Sequence, residues 1–113
     1  MTNALRELND LLSPVLSVET GVFSKTPPDT YAVLTPLVDL DDLFGDNRPD
    51  YEVQEVRISL YTKKNYVSLK NRIVRLLYDA DFVITEKRYI EHEDDTGYFH
   101  YAIDVAKQYK TEV

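Results

Sequence analysis

Hydrophobic spacing changes abruptly just after residue 61 of this chain. From Tyr51 to Tyr61, Val56, Ile58 and Leu60 recur at every second position, with Glu55, Arg57 and Ser59 between them. That is the pattern of a strand with one buried face. From Asn65 to about Asp79 the period becomes three to four, with Leu69, Ile73, Leu76, Leu77 and Ala80 on one stripe and Asn65 placed to cap a helix. A strand feeding directly into an amphipathic helix needs a sheet for that helix to cover. Apolar residues at 43% and charged residues at 29% are close to globular averages and exclude disordered and collagen-like architectures.

The flanking segments extend this α+β reading. Downstream, Phe82 to Ile90 and Tyr98 to Ala106 read as a hairpin across a turn at His92–Gly97, where Gly97 supplies the positive φ that such turns require. Phe99, Tyr101, Ile103 and Val105 alternate with Tyr98, His100, Ala102 and Asp104. Upstream, Leu5, Leu8, Leu12 and Val15 mark a helix over Asn3–Leu16, capped by Thr2 or Asn3 and kinked or ended at Ser13-Pro14. Gly21–Ser24 is a short strand. Tyr31–Thr35 is another, which Pro36 ends or pushes to a sheet edge. Asp39–Asp50, with five Asp in twelve residues, is expected to be a long loop, and loops of that length tend to be functional or mobile. The expected order is α-β-β-loop-β-α-β-β, a small mixed or antiparallel sheet with two helices on one face. One domain over residues 1–113 is expected, with a flexible tail from Lys107 to Val113.

Composition narrows function mainly by exclusion. No apolar run approaches the roughly 18 residues of a membrane helix, and the N-terminal segment has no apolar h-region of a secretory signal. The 113 residues contain no Cys, which removes thiolate nucleophiles, disulfides and Cys-based zinc sites. A net charge of −7 argues against a general nucleic-acid binder, whose affinity comes from neutralising phosphates. No resident metal or cofactor is expected. The charge is unevenly placed: residues 1–50 carry three bases and nine acids, whereas residues 51–113 carry ten and eleven. Lys63, Lys64, Lys70, Arg72 and Arg75 fall in a stretch without acids between Tyr61 and Tyr78.

Motifs of catalysis are missing from the sequence. His92 lies among Glu91, Glu93, Asp94 and Asp95, which suits a solvated turn better than a cation site, and His100 alternates with core aromatics. Their spacing matches no common paired-ligand motif. Tested as an EF-hand, the 39–50 loop puts Phe44 where Gly is needed and Asp50 where a bidentate Glu belongs. None of the Ser residues sits in GxSxG, and three Gly, at 21, 45 and 97, are too few for GxGxxG or a P-loop. A non-enzymatic role is expected. Nine Tyr are the one compositional excess; they read either as half-buried strand residues or as rings lining a subunit contact.

An ordered series of short features resembles a known family. An N-terminal helix leads to a Pro-containing loop and strand, PPDTYAVL; a loop carrying FGDN follows; a strand closes in LYT before Lys and a helix; and a final hairpin ends in GYFHYAIDV. Over roughly residues 4–106 this series resembles the tail terminator proteins of long-tailed bacteriophages and prophages, also called tail-completion or tail-to-head joining proteins. The acidic VDLDDL stretch ahead of FGDN departs from the family's pattern. The resemblance implies a structural role without substrate, cofactor or turnover. Such proteins bind the end of the completed tail tube, stop its growth and present a surface to the head connector, as a ring of typically six copies. It also implies residence in the host cytoplasm during assembly and then in the virion tail or neck.

A ring needs a heterologous contact, one patch meeting a different patch on the next copy. Candidate contact residues are Asp39, Asp41, Asp42, Phe44 and Asp46 on the acidic side, with Lys63, Lys64, Lys70, Arg72 and Arg75 on the basic side. Two other arrangements stay open: both patches are solvated faces, or they neutralise each other inside one monomer. The alternative function is a small acidic binding module that occupies a basic surface on a host protein.

Overall fold

The structure, a computed structural model, describes residues 3–21, 26–42 and 50–111. Seven elements follow one another as α1 (Ala4–Leu12), β1 (Ser17–Thr20), β2 (Thr30–Asp42), β3 (Tyr51–Thr62), α2 (Tyr66–Asp79), β4 (Val83–His92) and β5 (Phe99–Lys110). The strands form one mixed sheet in the order β1-β2-β3-β5-β4. Only β1 and β2 run parallel. Both helices pack on one face, as the sequence pattern requires.

That face is the core. Ile58 and Leu60 of β3 pair with Ile103 and Tyr101 of β5 on one side, and with Leu34 and Ala32 of β2 on the other. Leu8 and Leu12 of α1 and Ile73 and Leu77 of α2 close over them, all fully buried. Each helix starts where an Asn can accept backbone N–H groups. Asn3 Oδ1 accepts from Arg6 at 2.9 Å, and Asn65 Oδ1 accepts from Val67 and Ser68 at 3.0 and 3.2 Å. These bonds satisfy donors that a helix leaves free at its first turn. Gly97 takes φ +82 in the β4–β5 turn, as expected.

Several expectations are corrected or narrowed, and one falls largely outside the described residues. Of the two outcomes expected at Ser13-Pro14, the helix ends rather than kinks: α1 stops at Leu12 instead of running to Leu16, and the Ser13 hydroxyl donates to Asn9 O at 2.5 Å. The short strand expected at Gly21–Ser24 falls largely on residues 22–25, outside the described residues; the strand that forms is Ser17–Thr20, zipped in parallel onto Tyr31–Leu34. Pro36 does not end β2, which runs on to Asp42 through a register shift between Pro36 and Val38. From Thr35 onward β2 pairs with β3 alone among the described residues, so the missing N–H of Pro36 costs no outer ladder bond. Asp39–Asp42 are therefore strand rather than loop, paired with Gln54–Tyr51, and residues 43–49 of the expected loop lie outside the described residues. Finally, Lys107–Lys110 do not fray. They continue β5 against Gln54–Tyr51, Tyr109 is buried, and Thr111 donates its N–H to Asp50 O at 3.0 Å. Cross-strand pairing overrides the weak intrinsic preference of these polar segments.

Candidate functional site

The register of the long β2–β3 ladder decides where the candidate charges lie. At one end Thr30 pairs with Thr62, and at the other Asp42 pairs with Tyr51. Twelve residue steps at the rise of a strand separate the two ends by roughly 40 Å, along a molecule whose longest extent is 53 Å. Lys63 and Lys64 lie just beyond Thr62, and α2 starts from there, whereas Asp39 and Asp41 lie toward the far tip. Several Debye lengths thus separate the acidic residues from Lys63 and Lys64, and neutralisation of one patch by the other inside a monomer is ruled out for that end.

At the tip, Asp39 and Asp41 are exposed, and Asp41 stands directly opposite Glu52 across the ladder. Like charges facing each other across a sheet are unfavourable. Glu52 is partly relieved by the Gln54 amide, which donates to it at 2.7 Å, while Gln54 Oε1 accepts the Ala4 N–H of α1, also at 2.7 Å. That bond places Gln54, and with it Asp39 and Asp41, on the helix-covered side of the sheet. Lys110, opposite Tyr51, is a cation at this tip. Asp42 is the last residue of β2, and Phe44 and Asp46 lie outside the described residues.

At the opposite end the cations are differently employed. Lys63 reaches Asp29 at 3.8 Å and lies over the Tyr98 ring at 4.9 Å. Lys70 lies 5.8 Å from the Tyr101 ring centroid. Lys64 and Arg72, with Thr30, Thr62 and Asn65, line a shallow hollow of about 420 Å³ beside the start of α2. Arg72 and Arg75 are exposed farther along α2, which runs back from this end until Ala80 O meets Lys107, the residue opposite Gln54. The hairpin turn with Glu93, Asp94 and Asp95 sits at this same end, since His92 pairs with Phe99 and Phe99 with Thr62. The acids of the chain are therefore split between both ends of the sheet.

Most tyrosines are committed inside the monomer. On the open face Tyr31 and Tyr61 stack at 4.7 Å, Tyr61 and His100 at 4.3 Å, and Tyr98 meets Tyr31 edge-on at 5.5 Å. Tyr98 donates its hydroxyl to Pro28 O at 2.7 Å. On the helix side Tyr66 packs against Tyr89, Phe99 and Tyr101. Burial, with Tyr61, Tyr98 and Glu93 beside it, pushes the Tyr31 hydroxyl up to about 12. Burial also raises Tyr61, assisted by Glu93 and Glu91. It lowers His100, against the opposing pull of the same two carboxylates. His100 Nε2 is buried without a hydrogen-bond partner among the described residues. His92 belongs to the solvated turn, its Nδ1 3.1 Å from Asp94. Among the described residues no group of three His, Asp or Glu is placed to hold a metal ion.

Two charged contacts had no warning in the sequence. Arg57 grips Asp104 with two bonds of 2.8 and 3.0 Å across β3 and β5 on the open face. Lys107 Nζ donates to Glu7 at 2.6 Å and to Ala80 O at 2.7 Å, while Tyr109 donates to the other Glu7 oxygen at 2.8 Å. Each depends on strand register, which local spacing does not encode. Compared with protein-family models and with curated proteins, the chain matches none of them.

Proposed function

We propose that the chain is a structural assembly protein that caps a completed phage tail tube and joins it to the head connector, acting as a ring of copies. The observation that carries this reading is the separation of roughly 30–36 Å between Asp39 and Asp41 near the β2 tip and Lys63 and Lys64 ahead of α2. Carboxylates at a tip that have no ion-pair partner among the described residues, with like-charged Asp41 and Glu52 side by side, gain most from cations brought by another molecule. A neighbouring copy carries such cations in Lys63, Lys64, Lys70, Arg72 and Arg75. Complementary patches of this kind set register and association rate. The element order, helix-strand-strand-strand-helix-hairpin, is compatible with the series on which the family resemblance rests.

The alternative, an acidic module that occupies a basic surface on a host protein, needs carboxylates along one continuous face. Their division between the β2 tip and the β4–β5 turn disfavours it. Replacing Lys70 and Arg72 together by Glu is expected to abolish capping of tail tubes, scored by electron microscopy of tube lengths, with an unchanged circular dichroism spectrum. Tubes that still stop at their normal length would remove the reading.

A further inference from the structure

Among the described residues nine large apolar side chains are exposed, and six of them lie on just two strands: Leu37, Val38 and Leu40 on outer β2, and Val83, Tyr89 and Ile90 on β4. Both segments are sheet edges among the described residues. β4 is the last strand of the sheet, and β1 covers β2 only along Tyr31–Leu34, so Thr35–Asp42 has no outer partner among the described residues. An edge of this kind offers a row of unpaired backbone groups to another strand. We infer that the outer edge of β2 in one copy pairs with the β4 edge of the next, so that the sheet continues from subunit to subunit.

Charge selects this partner over the other combinations. Two β2 edges would bring Asp39 and Asp41 against their own kind. On β4, Lys87 and Arg88 occupy the middle of the regular stretch Glu86–Tyr89, between register shifts at Ile84/Glu86 and Tyr89/Glu91. Lys87 is exposed without an ion-pair partner among the described residues, and Arg88 makes only a loose contact with Glu86 at 3.7 Å. Sides match as well as signs. Lys87 pairs with core-facing Ile103, so it stands on the helix-covered side, the same side as Asp39 and Asp41. Because α2 packs against β4 and β5 on that side, the incoming carboxylates also approach the α2 cations.

Direction and closure follow from the topology. β2 and β4 run in opposite senses within one copy, through the antiparallel pairs β2·β3, β3·β5 and β5·β4. Two copies in the same orientation therefore bring β4 antiparallel to β2. Lys87 lies level with Ile58, and Asp39 and Asp41 lie level with Gln54 and Glu52. Pairing them shifts each copy by about five residues, about 17 Å, for every four strands, about 19 Å, across the sheet. The strands then tilt by roughly 40°, within the range at which sheets close on themselves. The contact rests on the ring reading above for closure.

Charge exchange tests the contact by sedimentation velocity, alone and with tail tube. D39K/D41K and K87D/R88D are each expected to lose the rapidly sedimenting assembly that the native chain forms, and an equimolar mixture of the two variants is expected to recover it. Native-like association of either variant, failure of the mixture, or a native chain monomeric both free and on the tube would overturn the inference. Tube capping separates the two claims. A native chain that associates but leaves tubes uncapped keeps the contact and removes the tail reading. Variants that cap as well as the native chain remove the contact and keep the reading.

Discussion

The two halves of this sheet are built to opposite specifications. Near Thr30 and Thr62 the sheet is sheathed on both faces, by the helices on one and by the Tyr31–Tyr61–His100 stack on the other, and both edges of the inner strands are paired. Toward Asp42 and Tyr51 it narrows to β2, β3 and β5, exposes Leu37, Val38 and Leu40, and places carboxylates opposite one another. Most of the buried core lies in the sheathed half, whereas toward the tip the first turns of α1 and buried Tyr109 cover one face and the apolar side chains of outer β2 stay exposed. A residue's place along the strand thus says more about its role than its chemical type does.

That contrast can be broken most directly with paired truncations. Ile58→Ala, in the fully buried core, is expected to cost about 2–4 kcal/mol in urea unfolding. Leu40→Ala, half-exposed on outer β2, is expected to change stability by less than about 0.5 kcal/mol. Equal losses at the two sites would contradict the division. Next in size comes Arg57→Ala, which strands the mostly buried Asp104 carboxylate. With Arg57 itself partly in solvent, the expected loss is about 1–2 kcal/mol, and Arg57→Lys should recover only part of it, because the two-bond grip needs a guanidinium.

The smallest expected effect is a pH dependence. Its acid side is set by His100 in the sheathed half. On the alkaline side Tyr109 near the tip, raised by burial and by its bond to Glu7, acts alongside the tyrosines of that half. His100 is held below its ordinary pKa in the fold, so the unfolded chain takes up a proton first as pH falls. Stability is full above about 6.5 and declines as pH drops below it. Tyr31 and Tyr61 are shifted upward, so the unfolded chain loses protons first and stability declines again as pH rises from about 10 toward 12. Thermal melts across pH should show the acid-side decline vanish in His100→Phe, which preserves the stack. An unchanged profile in that variant would assign the decline to other groups.

How much of this was legible in the sequence depended on whether a signal was local. Asn65 and the stripe Leu69–Ile73–Leu76 announce α2 without help, and the alternation of Val56, Ile58 and Leu60 announces β3. Ser17–Thr20 carries only Val18 as an apolar residue and becomes a strand because Tyr31–Leu34 lies alongside. Asp39–Asp42 and Lys107–Lys110 become strands because both pair with the same stretch, Tyr51–Gln54. The candidate acids and bases were visible as runs of charge, but their separation along the ladder was not, since register is a property of two segments at once. Lys87 and Arg88 carry no local signal for the same reason. They look like ordinary polar positions of a hairpin until β4 proves to be an edge.

The strand order β1-β2-β3-β5-β4 places the last element of the chain between two that precede it. As the polypeptide leaves the ribosome, β3 and β4 must therefore wait with open flanks, and the core lacks Ile103, Val105 and Tyr109 until the final dozen residues of the fold emerge. Only then can Lys107 and Tyr109 reach back to Glu7 in the first helix. Completion of this sheet thus waits for β5. Every copy that is competent to assemble has necessarily been synthesised through the end of β5, and a prematurely terminated chain would carry the acidic tip without the inner strand that supports it.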